Sequence, residues 1–145
     1  MSVITPVCMI IFNDSSEVLL IKRLGDDTWS LPGDVPKARE SYEDALSRSV
    51  SEQLRCRVKC FDYYKSSYFE ENKQEQYRSV YYAGSIDGDL LLGDAVSDSK
   101  WVHWRQLASD DVRLYLDQKD TVIGFFNRTP VKKSFWSFLF RRPHT

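Results

Sequence analysis

Histidine is scarce in this chain: only His103 and His144 occur, and the three cysteines, Cys8, Cys56 and Cys60, include no CxxC spacing. A zinc site draws about four ligands from such residues at close spacing, so none is expected. An odd cysteine count without a paired pattern speaks for reduced thiols in a cytoplasmic protein, with Cys8 packing as a small hydrophobe inside an apolar run. No stretch approaches the ~20 apolar residues of a membrane helix, and no basic segment leading into an apolar run opens the chain. A GxxxxGK phosphate loop and a nucleophile elbow are both missing. Net charge is only −1, which gives no general case for nucleic acid, and no nucleic-acid partner is expected.

What is present suits one soluble domain: 145 residues, 42% hydrophobic and 28% charged, enough to bury a core. Charge is unevenly placed. Residues 127–145 carry Arg128, Lys132, Lys133, Arg141 and Arg142 and no acid, which leaves −6 on residues 1–126. The chain therefore divides into a domain over 1–126 and a basic, aromatic tail over 127–145. In the tail Phe135, Phe138 and Leu139 share a helical face, beside Trp136 and Phe140. Contact of this tail with a membrane or a partner protein is open. Its short apolar core favours packing on its own domain or on a second copy.

The pattern along the chain alternates strands with helices. VITPVCMIIF over 3–12 and EVLLIKR over 17–23 flank a polar NDSS turn and read as a hairpin-like pair, with Pro6 interrupting the first strand or placing it at an edge. Ser41–Leu54 reads as a helix, with Ser41 and Asp44 as an approximate capping signal and Tyr42, Ala45, Leu46, Val50 and Leu54 at helical spacing. RVKCFDYYKSSYF and QYRSVYYAGSI are aromatic-rich strands, DGDLLLGD a turn and short strand, and KWVHW a further strand. RQLASDDVRLYLDQKDTVIGFF reads as helical with one break near Ser109. Together these predict an α/β fold with a mixed sheet between helices.

Positions 49, 52 and 53 share one helical face, and here they are Ser49, Glu52 and Gln53. Three carboxylates there would suit a hard dication completed by substrate phosphates, but only Glu52 is one. Gln53 offers a neutral carbonyl oxygen, Ser49 a hydroxyl, and the Gly33 turn a backbone carbonyl. Taken alone, Glu52 is as readily an exposed acid pairing with Arg48 one turn earlier.

WSLPGD and RESYEDALSRSVSEQL, at 29–34 and 39–54, resemble the Nudix box, G-x5-E-x7-R-E-U-x-E-E-x-G-U with U aliphatic, and its usual lead-in. Glu40, Arg48, Val50 and Glu52 fall on box letters; Asp34, Ser49, Gln53 and Arg55 depart from them. LLIKR at 19–23, Lys100-Trp101-Val102 and Leu107 match further family features, so the resemblance runs over most of residues 3–107. It implies a Nudix-type α/β/α sandwich and hydrolysis of a nucleoside diphosphate linked to another moiety, with Mg2+ or Mn2+, a nucleotide-type small molecule being the partner. It further implies Glu52 as the surviving catalytic carboxylate and metal ligand, with the Gly33 carbonyl and Asp98 as further ligands. Arg23 is then the substrate-phosphate contact, and Glu40 and Arg48 the structural pair of the box. Asp94, Glu70 and Glu71 are alternative ligands. With two box carboxylates missing, turnover is expected to be weak or metal-demanding. The alternatives are a catalytically inactive Nudix-fold module that binds nucleotide, or an interaction protein working through its tail.

Overall fold

A computed structural model describes residues 2–109 and 111–128, so the tail expected at 127–145 lies, from residue 129 on, outside the described residues. Strand β1 (Ser2–Ile4) and strand β2 (Val7–Ile11) are collinear pieces of one edge, separated at Pro6. Both run parallel to β6 (Glu75–Asp87), Ser2 opposite Glu75 and Val7 opposite Val80. Proline brings no N–H to the ladder, yet the Pro6 carbonyl still accepts from Val80 N at 2.9 Å. Strand β5 (Arg57–Glu70) pairs antiparallel with the other edge of β6, and β4 (Gly33–Asp34) pairs with the free edge of β2. These five strands form a mixed sheet. A second, two-stranded antiparallel sheet joins β3 (Glu17–Arg23) to β7 (Val96–His103).

The expected hairpin between residues 3–12 and 17–23 does not form. β2 and β3 meet in a single bridge, Phe12 to Val18, and then part into different sheets. Asn13 ends the pairing: its Oδ1 accepts from Ser15 N and Glu17 N, while Ser16 adopts φ 58°. Both strands are apolar on both faces, so each needs cover on two sides rather than a neighbour at one edge.

Alternating residues of β2 face two separate cores. Val7, Met9 and Ile11 pack with Leu46, Val50 and Leu54 of helix α1 (Tyr42–Leu54). Cys8, Ile10 and Phe12 pack with Val122, Phe125 and Phe126 of helix α2 (Gln118–Arg128). One helix per face of a period-2 strand makes the α/β/α sandwich that the alternation of elements predicts.

α1 starts where the sequence signals it. Ser41 is the N-cap, its hydroxyl accepting from Asp44 N at 3.0 Å, and Glu43 and Asp44 sit in the first turn. At its other end Arg55 takes the left-handed conformation, φ 57°. Past Asp87, which ends β6, the DGDLLLGD segment forms no strand; it folds over this helix end instead. Leu91 N donates to Leu54 O and Gly93 N to Gln53 O, both at 2.9 Å, satisfying carbonyls that a helix terminus leaves unpaired. A Cβ on Gly93 would stand 1.8 Å from Glu52 O, so this seat admits only glycine.

The break expected near Ser109 is much longer than one residue. A 3-10 helix covers Trp104–Ala108, and α2 begins only at Gln118. Between them the backbone is claimed by Trp29, which donates to Arg113 O and accepts from Tyr115 N, each at 2.9 Å. Those non-local bonds replace the helical ones that the apolar spacing suggests. None of the helices among the described residues is long and apolar enough to cross a membrane.

Candidate functional site

Two side-chain clusters form where α1 meets the turn at Gly33. The first surrounds Arg48. Its Nε donates to Glu40 Oε2 at 2.8 Å and its Nη2 to Glu40 Oε1 at 2.9 Å, a two-point ion pair. Nη1 donates to Glu52 Oε1 at 2.9 Å and lies 3.6 Å from Asp34 Oδ2, while Nη2 also reaches Val35 O at 3.3 Å. Glu40 accepts in addition from Lys37 N. The Arg48 hydrogen bonds, helped by that N–H, hold the Glu40 carboxyl down at about 2. Reciprocally, Glu40 keeps Arg48 charged.

The second cluster is built on Gly33 itself. With φ 149° and a hypothetical Cβ only 2.0 Å from Val7 O, residue 33 is pressed against β2 in a way open to glycine alone. Gln53 is buried against it. Its Oε1 accepts from Gly33 N at 3.0 Å and its Nε2 donates to Gly33 O at 2.8 Å. Arg23 Nη2 donates to the same carbonyl at 2.9 Å. Ser49, also buried, donates to Ala45 O at 2.6 Å, a bond within its own helix.

This arrangement does not fit a bound divalent cation. Gly33 O, a ligand expected from sequence, accepts from two donors; Glu52 is exposed and paired with Arg48; and the Ser49 hydroxyl is spent on the backbone. Asp98 stands exposed on β7 opposite Lys22, its Oδ1 accepting from Ser99 N. Asp94 lies in the turn before β7, Glu70 at the end of β5, and Glu71 in the following turn. Among the described residues no three His, Cys, Asp or Glu side chains converge to hold a metal. The structure thus brings Arg23, Gly33 and Gln53 together, and separately Glu40, Arg48, Glu52 and Asp34. It joins neither Asp98 nor the alternative acids to them by any hydrogen bond or ion pair among those described.

Beside the Gly33 turn opens a cleft of about 450 Å³. Ile4, Pro6, Cys8 and Val35 give it apolar lining; Arg23, Asp26, Ser30, Asp34 and Gln118 give it polar lining. Tyr77 and Tyr115 contribute rings at 84° to each other, centroids 6.4 Å apart. The backbone bridge from Trp29 is what brings Tyr115 here. Burial pushes the Cys8 thiol up to about 12 despite the opposing pull of Arg23, so it lines the cleft as a neutral group. Gln118 is committed, its Oε1 accepting from Leu31 N at 2.8 Å and its Nε2 facing Cys8 Sγ at 3.6 Å. The Ser30 hydroxyl is buried with no partner among the protein groups described. Nothing in the sequence marks Ser30 or Gln118 as site residues, and Tyr77 reads there only as one aromatic of a strand. His103 caps the 3-10 helix, its Nδ1 accepting from Arg105 N.

The chain matches the family model for the NUDIX domain over residues 4–140. Nothing among curated proteins matches it. Solved structures share its fold at low identity. A MutT NUDIX hydrolase from Burkholderia pseudomallei superposes with a TM-score of 0.72 at 18% identity, over 85% of this chain and 97% of the other. The E. coli ORF135 protein gives 0.70 at 19%, over 100% and 96%. The NUDIX domain of Shewanella oneidensis NrtR, solved with ADP ribose, gives 0.69 at 18%, over 88% and 89%. With the family model spanning residues 4–140 and an α/β/α sandwich in the structure, this chain belongs to the NUDIX domain family.

Proposed function

We propose that the cleft at the Gly33 turn receives a nucleoside diphosphate linked to another moiety, whose own phosphates bring in the Mg2+ or Mn2+ that the chain alone does not hold, and that the chain hydrolyses it weakly. The observation that carries this is the meeting of Arg23 with the Tyr77–Tyr115 pair in one cleft. A guanidinium offers a diphosphate directed, charge-assisted hydrogen bonds, and aromatic rings offer a base or sugar a face to pack on. The NrtR domain, of the same fold, was solved with ADP ribose, a ligand of this chemical class. Asp26 opposes the phosphate charge from the same lining, which is consistent with modest affinity. The three free, buried thiols support a reducing, cytoplasmic setting for this activity.

One observation favours a second function, binding without turnover: the Gly33 carbonyl and Gln53 are bonded to each other and not open to a ligand. Phosphate release from a panel of nucleoside diphosphate derivatives, with Mg2+ or Mn2+, separates the two. The Ser49→Glu plus Gln53→Glu double variant belongs in the same assay. Slow turnover by the native chain, raised in the variant, is the expected result. An inert native chain beside an active variant selects binding alone. Neither turnover nor nucleotide binding in either protein would overturn both.

A further inference from the structure

The box positions of this chain are filled by bonds among its own residues. Gln53 is only 6% exposed and commits both ends of its amide to one residue, accepting from Gly33 N and donating to Gly33 O. A carbonyl oxygen has two lone pairs, and Arg23 takes the second at 2.9 Å. The seat itself is fixed, since Gly33 is wedged against Val7 O and Gly93 locks the end of α1 through Gln53 O.

We infer that Gln53 and Arg23 are an internal substitute for a divalent cation, closing the Gly33 turn onto α1 so that no metal ion is needed to hold the site together. The physical reason lies in the difference between an amide and a carboxylate of the same shape. A carboxylate at position 53 would accept from Gly33 N equally well. Its second oxygen would then face Gly33 O across the 2.8 Å now spanned by Nε2, with no proton between two buried acceptors. A cation placed between them relieves that repulsion; without one, the carboxylate has to take up a proton, at a cost to stability at neutral pH. Glutamine supplies the missing proton, and Arg23 adds positive charge from the strand side. Neither role depends on what the cleft binds, so this inference stands apart from the proposed activity.

Mn2+ alone is the probe, with thermal unfolding of the full chain and the electron paramagnetic resonance of free Mn2+ as readouts. The native chain is expected to unfold at the same temperature in EDTA and in millimolar MnCl2, and to leave the free Mn2+ signal undiminished. Gln53→Glu is expected to lower Tm in EDTA by about 3–8 °C and to recover most of that loss with Mn2+ while depleting the free signal. Gln53→Met, which removes the donor without adding charge, should lose stability in both buffers and show no recovery. Should Gln53→Glu fail to fold, the native titration decides by itself. Saturable Mn2+ binding to the native chain, abolished by Glu52→Gln, would overturn the inference. So would a Gln53→Glu protein as stable in EDTA as the native one, or one whose loss Mn2+ leaves unchanged.

Discussion

The two clusters at the Gly33 turn use opposite means to fix the same helix. Around Arg48, three carboxylates and one guanidinium meet half in solvent, Arg48 being 18% and Glu52 56% exposed in their side chains. Around Gly33, a buried amide and a half-buried guanidinium meet a backbone carbonyl. Charge in the first is screened by salt and titrates with pH. The second depends on direction and on the absence of water, since a buried group left without its partner costs far more than a bond regained from solvent. One scaffold therefore holds a conditional joint beside an unconditional one.

The largest effect is expected at the unconditional joint. Gly33→Ala forces a Cβ to within 2.0 Å of Val7 O at φ 149°, which β2 and β4 relieve only by separating. A loss of about 3–5 kcal/mol in urea unfolding is expected; a loss below ~1 kcal/mol would show that the turn yields easily. Gln53→Met comes next. It removes both bonds to Gly33 while keeping volume, and should cost about 1–3 kcal/mol, with the same cost at low and high salt and from acid to neutral pH.

Glu40→Gln probes the conditional joint, and here the pH dependence carries the information. The Glu40 carboxyl is lowered from 4.5 to about 2 by Arg48 and by Lys37 N. Its folded-state value lies below its unfolded one, so its contribution is complete above the unfolded value and fades as pH falls through the folded one. The native chain should lose stability between about pH 4.5 and 2, and Glu40→Gln should lose correspondingly less over that window. Urea midpoints followed from pH 6 to 2 check this. Parallel curves would show that Arg48 gives Glu40 no preference for its charged form. Added salt should shrink the difference for Glu40→Gln and leave Gln53→Met unmoved.

Much of the fold could be read before the structure because it rests on local signals. Ser41, the helical spacing to Leu54 and the polar break between two aromatic strands each act within a few residues. What could not be read depends on partners far along the chain. β3 leaves β2 to pair with β7, Glu17 opposite His103, and Trp29 takes the backbone of Arg113 and Tyr115 out of a helix that the apolar spacing suggests. The site divides in the same way. The Arg48–Glu52 spacing is a one-turn relation visible in the sequence, whereas Glu40, which precedes the N-cap Ser41, joins them only through the resemblance to the box. That Gln53 would bond to a glycine 20 positions earlier was not visible there, because a glutamine at this position is equally compatible with a ligand, a clamp or an idle surface amide. Tyr115 reaches the cleft only through the bridge at Trp29, and nothing near it in sequence marks it.

The smallest expected effect is a gain, and it sharpens the comparison by acting on both clusters equally. Arg55 closes α1 at φ 57°, where a Cβ is strained and glycine is not; its N–H donates to Ser51 O, and that bond survives a change of side chain. Arg55→Gly relieves the strain but adds freedom to the unfolded chain, so a net gain of about 0.5–1 kcal/mol is expected. Arg55 touches neither Glu40 nor Gly33 among the bonds described. The pH window of the Glu40 cluster and the salt-independence of the Gln53 clamp should both persist in this background, shifted together to higher denaturant. If Arg55→Gly destabilises the chain or changes the cost of Gln53→Met, then the end of the helix is part of the clamp. The bonds from Leu91 N and Gly93 N to Leu54 and Gln53 would then be the route by which strain at residue 55 reaches the cleft.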